Sequence, residues 1–149
     1  MTIVILGVGN RMRADDGIGS IIASELMSHL PDNILVYDAE SSPENYIDKI
    51  VQAKPDWVIF IDACNFKAQP GEFKLFEESE IQDISYGLLS THTLPLTLTI
   101  ELIKQQHKCR ISLLGIQPKS FLMGMEMSDE ISSNKSRIID YLLKIIHNK

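Results

Sequence analysis

Asp15 and Asp16, Asp62 and His92 are the side chains of this 149-residue sequence whose types and settings could do chemistry together. The acid pair follows Gly7-Val8-Gly9-Asn10 and opens a helical pattern. Asp62 closes the apolar run Ile59-Phe60-Ile61. His92 stands in Ser90-Thr91-His92-Thr93-Leu94-Pro95, just before another helical stretch. Two carboxylates and one imidazole form a mixed oxygen and nitrogen donor set with open positions. Such a set suits a borderline divalent metal such as nickel or zinc, and composition alone does not choose between them. Each residue also has an ordinary reading. Aspartate caps helices, aspartate closes strands by bonding turn amides, and a histidine in a polar loop is commonly just solvated. Their joint placement argues for more. All three fall at junctions on one side of the predicted elements, and open α/β sheets bind ligands beyond the carboxyl ends of their strands.

The elements that must position these groups follow from hydrophobic pattern. Thr2 to Val8 is a continuous apolar run of the kind buried on both faces of a parallel sheet. A helix begins near Asp15 or Asp16, with Ile18, Ile21, Ile22 and Leu26 at helical spacing, and Pro31-Asp32-Asn33 ends it. Ile34 to Tyr37 is the second strand. Ser42-Pro43-Glu44 reads as a helix start, with serine as cap and proline in the first turn. Ile47, Ile50 and Val51 supply the buried face of that helix, and Lys54-Pro55-Asp56 breaks it. Trp57 to Ile61 is the third strand.

Only Ala63 to Gly71 separates the third strand from the next, Glu72 to Phe76. A parallel crossover needs about a dozen residues or more, so this strand is predicted to be an antiparallel edge. Glu77 to Asp83 reads as a short helix or turn. Leu94 to Gln106 reads as a helix with Pro95 in its first turn, its apolar residues spread widely enough to predict burial on more than one side. Arg110 to Ile116 is the fifth strand. Ser128-Asp129-Glu130 caps a last helix with Ile138, Leu142 and Ile145 on one stripe. The expected architecture is one α/β domain over residues 1–149. It is a three-layer α/β/α sandwich with a mostly parallel, twisted five-stranded sheet and one antiparallel edge strand.

Bulk properties narrow the function. Hydrophobic residues make up 44% of the chain, enough for one core. The net charge of −6 argues against nucleic acid as a partner, with Arg11 and Arg13 a small local exception. No apolar run reaches the ~18 residues that span a membrane. The apolar start is too short for a signal peptide and lacks a basic lead, so a cytoplasmic protein is expected. Cys64 and Cys109 form no C-x-x-C motif. Cys64 reads as a small buried residue rather than a nucleophile. His29, His107 and His147 read as surface residues, and Met123, Met125 and Met127 as apolar cover. Asn10 either positions a substrate backbone or stabilises its own glycine turn.

Two rival uses of the same residues fit less well. Gly7-Val8-Gly9 begins a dinucleotide fingerprint, but position 12 is methionine, and acids at the helix start would repel a pyrophosphate. Asp38 is equally a turn residue. A phosphoacceptor receiver would use Asp15, Asp16 and Asp62, but its acid pair lies directly at the strand end. Here the doublet stands several residues further on, and Gln117-Pro118 occupies the place of the expected lysine.

Taken together, the segments resemble the hydrogenase maturation proteases. Four stretches carry the match: Gly7-Val8-Gly9-Asn10 with Asp15-Asp16-Gly17-Ile18-Gly19, Ile61-Asp62-Ala63, Thr91-His92-Thr93-Leu94-Pro95-Leu96, and Leu114-Gly115-Ile116-Gln117-Pro118. Ser42-Pro43-Glu44-Asn45 and Pro70-Gly71-Glu72 add to it. The Pro-Glu-Asn and Thr-His segments look closest to the branch serving membrane-bound hydrogenases. The resemblance implies a cytoplasmic, monomeric, aspartyl-type endopeptidase that removes a C-terminal extension from the large-subunit precursor of a nickel-iron hydrogenase. It implies that Asp16, Asp62 and His92 contact nickel already seated in that precursor; without it the site is empty or holds another divalent metal. Many members carry glutamate at the first of these positions, where this chain has the shorter aspartate, and the adjacent Asp15 competes with Asp16 for the role. No catalytic base is assigned. A non-catalytic, nickel-sensing assembly chaperone is the competing class.

Overall fold

The computed structural model describes residues 1–28, 30–84 and 96–148. Five strands form one sheet: β1 (Ile3–Gly7), β2 (Ile34–Asp38), β3 (Trp57–Ala63), β4 (Phe73–Glu77) and β5 (Arg110–Ile116), in the order β2-β1-β3-β5-β4. The pairs β1–β2, β1–β3 and β3–β5 are parallel, and β4 runs antiparallel to β5 at the edge. The short link from β3 to β4 has this consequence because it cannot carry the chain back across the sheet.

Among the described residues six α-helices accompany the strands: α1 (Ile18–Leu26), α2 (Ile47–Ala53), α3 (Glu78–Ile84), α4 (Leu96–Gln106), α5 (Asp129–Ser132) and α6 (Lys135–His147). Alternation along the strands sorts the apolar side chains into two cores. Ile3, Ile5, Trp57, Ile59, Ile61, Leu114 and Ile116 pack with α1, α5 and α6. Val4, Leu6, Val58, Phe60, Ile111 and Leu113 pack with α2, α3 and α4. This is the three-layer α/β/α sandwich. The purely apolar strands follow from burial on both faces. Among the polar groups that the sheet encloses, Trp57 Nε1 donates to Ser112 Oγ at 2.9 Å. The Arg110 guanidinium lies 3.9 Å from the centre of the Trp57 ring.

Several local expectations need correction. β3 runs two residues beyond Ile61, so Asp62 belongs to the strand itself. A 3-10 turn, Ala14–Gly17, precedes α1, and a second, Pro43–Tyr46, precedes α2. Neither Ser42 nor Ser128 makes a side-chain cap; the Ser128 hydroxyl is drawn instead to Asp15. The last helical pattern is broken into α5 and α6, and its buried stripe is Ile138, Leu142 and Ile146, with Ile145 only half-buried. α4 buries one stripe, Leu96, Thr99, Ile100 and Ile103, while Leu98 is exposed. His107 is half-buried, its Nε2 lying 2.6 Å from the Pro55 carbonyl. Met123 and Met125 are exposed, and of the three alternating methionines only Met127 packs on the core. His29, Leu94 and Pro95 lie outside the described residues.

Candidate active site at the carboxyl edge of the sheet

The β1–α1 corner is built around close backbone approach. Gly9 has φ +148°, and a Cβ there would lie 1.9 Å from the Asp16 carbonyl oxygen. Only glycine fits such a conformation and such a gap. The packing brings Asp16 beneath the turn, where its Oδ2 accepts a hydrogen bond from the Asn10 amide at 2.9 Å. Asp16 is 1% exposed. Asn10 Oδ1 accepts from the Met12 amide at 2.9 Å, which closes a local side-chain turn. Asn10 also lines a cleft of about 380 Å³, with Met12, Glu40, Ser42, Asn45 and Tyr46, over the ends of β1 and β2.

Asp15 points elsewhere. It is fully buried, and both of its oxygens accept bonds from the segment after β5. Oδ2 takes the amides of Lys119 at 2.8 Å and Ser120 at 3.0 Å. Oδ1 takes the Ser128 amide at 2.7 Å, and the Ser128 hydroxyl lies within 2.9 Å of either oxygen. The Asp15 amide in turn donates to the Ser120 carbonyl at 3.1 Å. One carboxylate thus satisfies the backbone of a long irregular loop, a job in which its charge strengthens each bond. Nothing in the local sequence marks this role, because the partners lie more than a hundred residues away.

Asp62 is 3% exposed and lies opposite Gly115 in the β3–β5 ladder. Alternation gives it the side of Val58 and Phe60, the face covered by α2, α3 and α4. Its neighbour Cys64 is buried, and Gly115 leaves room for the sulfur, since a Cβ there would lie 2.4 Å from Sγ. Burial, and secondarily the Asp62 charge, pushes the Cys64 thiol well above its ordinary range. A thiol held neutral is no nucleophile. His92 lies outside the described residues. The helix it precedes in sequence, α4, packs on the same face as Asp62. Among the described residues no group of three or more His, Cys, Asp or Glu is arranged to hold a metal.

A second cleft, of about 540 Å³, opens over the ends of β3 and β5 between Arg13, Asn65, Gln117, Lys119, Phe121 and Leu122. Gln117 organises its floor. Its Oε1 accepts from the amides of Phe66 at 2.9 Å and Ala68 at 3.2 Å, and its Nε2 donates to Asn65 Oδ1 at 3.2 Å. Asp16 and Asp62 therefore belong to the two central strand ends, β1 and β3, with one cleft on either side along the sheet order β2-β1-β3-β5-β4. Arg11 is absorbed structurally: Nε donates to Ser20 Oγ at 2.8 Å, and the guanidinium pairs with Asp38 at 3.2 Å. Asp38 is thereby a turn and ion-pair residue.

The arrangement matches known proteins over its whole length. The family model described as hydrogenase maturation protease (HycI) matches residues 21–145. The chain belongs to the hydrogenase maturation protease family. Hydrogenase 3 maturation protease of Escherichia coli K12 is 34% identical over 118 residues, covering 79% of this chain and 74% of the relative. The crystal structure of a [NiFe] hydrogenase maturation protease, HycI from Thermococcus kodakarensis KOD1, superposes with a TM-score of 0.83 at 33% identity, covering 98% of this chain and 92% of that one. The hydrogenase maturating endopeptidase HybD of E. coli shares the fold, with a TM-score of 0.86 at 22% identity over 99% of this chain and 93% of that one. This maturation protease is a hydrolase that cuts peptide bonds. Membership of the family sets aside the chaperone and receiver alternatives.

Proposed function

We propose that this maturation protease removes the C-terminal extension of the large-subunit precursor of a nickel-iron hydrogenase, and that it reads nickel already seated in that precursor. The observation that carries this reading is the pair of buried carboxylates, Asp16 and Asp62, at adjacent strand ends between two open clefts. Asp16, Asp62 and His92 are the proposed contacts to the substrate's nickel, and they suit it chemically as oxygen and nitrogen donors. Two carboxylates and an imidazole make a weak site alone. A metal delivered by the partner completes the site, so cutting depends on prior insertion.

Within the chain, the Asn10 amide holds Asp16 in place, while Asp15 holds the loop that walls the second cleft. The cleavage segment would lie across the rim in the two clefts. Water adds across the peptide bond in an aspartyl-type hydrolysis. Cys64, with its neutral thiol, takes no part. We further propose that the protein acts as a monomer in the cytoplasm; none of its described helices is long and apolar enough to cross a membrane.

The test is intact-mass analysis of candidate large-subunit precursors, with and without nickel, after incubation with the protein. The expected result is loss of the C-terminal tail from the nickel-loaded form alone. No cleavage of any nickel-loaded precursor would overturn the substrate assignment. Equal cleavage of the nickel-free form would overturn nickel recognition.

A further inference from the structure

Two arginines leave the β1–α1 corner, and they meet different fates. Arg11 is satisfied by Ser20, Ser24 and Asp38. Arg13 pairs with no carboxylate among the described residues, and its Nε is buried without a hydrogen-bond partner. A buried donor left unmatched costs about 1–3 kcal/mol, and with no side-chain partner among the described residues the half-buried guanidinium can turn its outer nitrogens to a ligand in the cleft. Arg13 lines the 540 Å³ cleft. The other polar groups there are already engaged. Gln117 and Asn65 bond each other and the backbone, and Lys119 Nζ pairs with Glu130 at 2.8 Å. Ser120 Oγ accepts from the Leu122 amide at 3.2 Å, and the remaining walls, Pro118, Phe121 and Leu122, are apolar.

The apolar wall continues onto the surface. The Gly124 amide donates to the Met12 carbonyl at 2.7 Å, which ties the residue beside Arg13 to the loop after β5. Met12, Leu122, Met123 and Met125 are 68%, 65%, 58% and 56% exposed. An uncompensated guanidinium is thus bordered by a strip of long, adaptable side chains. Methionine and leucine suit contact with aliphatic side chains of varied shape, and a guanidinium prefers a carboxylate, which it can grip with two parallel bonds. The net charge of −6 argues against a polyanionic partner.

We propose that Arg13 binds a carboxylate of the substrate segment, flanked by aliphatic residues that rest on Phe121, Leu122 and Met12. Arg13 is then a specificity and positioning residue that fixes where the segment crosses the Asp16–Asp62 rim. This rests on the peptide-processing reading above. The carboxylate is either an acidic side chain of the segment or its free C-terminus.

The experiment uses the intact 15N-labelled protein and three peptides: acetyl-Leu-Asp-Leu-amide, acetyl-Leu-Leu-Leu with a free carboxylate, and the neutral acetyl-Leu-Asn-Leu-amide. At least one acidic peptide should shift the Arg13 Nε–Hε signal and the amides of residues 119–122. It should bind about tenfold more tightly than the neutral peptide, the gain of one charge-assisted contact. Which acidic peptide does so identifies the source of the carboxylate. In Arg13→Gln the preference should vanish, and Arg13→Lys should restore part of it. Arg13→Gln should melt no lower than the wild type, because it removes an unmatched donor; a structural arginine would lower the melt. No shift at Arg13 with millimolar peptide, or a preference that survives Arg13→Gln, overturns the proposal. In precursor processing, Arg13→Gln should raise KM about tenfold and change kcat by less than about twofold. Failure of the wild type to process any precursor would sink the substrate reading, while the peptide titration still decides Arg13.

Discussion

Replacing Asp15 by asparagine tests its role as the anchor of the loop after β5. The side chain is fully buried and accepts the amides of Lys119, Ser120 and Ser128 and the Ser128 hydroxyl. Asparagine keeps one acceptor oxygen. If that oxygen stays with Lys119 and Ser120, its amide nitrogen faces the Ser128 amide, donor against donor. The Ser128 hydroxyl can rotate and accept, but the Ser128 amide cannot. One bond to a charged acceptor, worth about 1.5–3 kcal/mol, is lost, and a buried donor is left unmatched. The net destabilisation should be about 2–4 kcal/mol. For a chain of this size that is a fall in Tm of roughly 5–15 °C. Denaturant unfolding gives the free energy, and amide hydrogen exchange should show lost protection at Lys119, Ser120 and Ser128. A change below about 0.5 kcal/mol with unaltered exchange in that loop would refute the anchoring role. Asp16→Asn is the control: its oxygen can still accept from Asn10, and protection at Lys119, Ser120 and Ser128 should stay near that of the wild type.

The remaining predictions concern the rim and its supports. Asp16→Asn, Asp62→Asn and His92→Ala should each abolish precursor processing by the mass assay while circular dichroism melts stay near wild type; if they unfold the protein instead, the metal-contact reading of these residues is wrong. Gly9→Ala should destabilise by about 3 kcal/mol or more, measured by denaturant unfolding, because its Cβ meets the Asp16 carbonyl at 1.9 Å and φ is +148°. Cys64 should resist iodoacetamide in the native state at pH 9 and react on unfolding. Its folded pKa is raised, so the unfolded thiol ionises first as pH climbs above roughly 8.5. Stability that is fully present at neutral pH should therefore fall in the alkaline range for the wild type, and fall less for Cys64→Ala.

Much of the scaffold was readable from local pattern. Ile3 to Leu6 and Trp57 to Ile61 announce buried parallel strands because a strand covered on both faces has no need of polar alternation. The nine-residue link after β3 announces the reversed edge strand because chain length bounds what a connection can span. Glycines beside an acid pair announce a strand-end turn. Some misses were local competitions. Ser128 has the residue type of a helix cap, but its hydroxyl serves Asp15 instead. Met123 and Met125 look like cover and are exposed.

The different surroundings of the two adjacent acids could not be read the same way. Asp15 and Asp16 are adjacent, chemically identical and equally buried, and no periodicity distinguishes them. What separates them is which backbone each meets. Asp16 lies against Gly9 and Asn10, a contact of six residues' separation. Asp15 meets Lys119, Ser120 and Ser128, brought across by the pairing of β3 with β5. The same tertiary step leaves Arg13 unmatched while Arg11 finds Asp38. Hydrophobic burial acts on every residue of a pattern at once and leaves a period in the sequence. A hydrogen bond between groups a hundred residues apart depends on where two loops arrive, and leaves none.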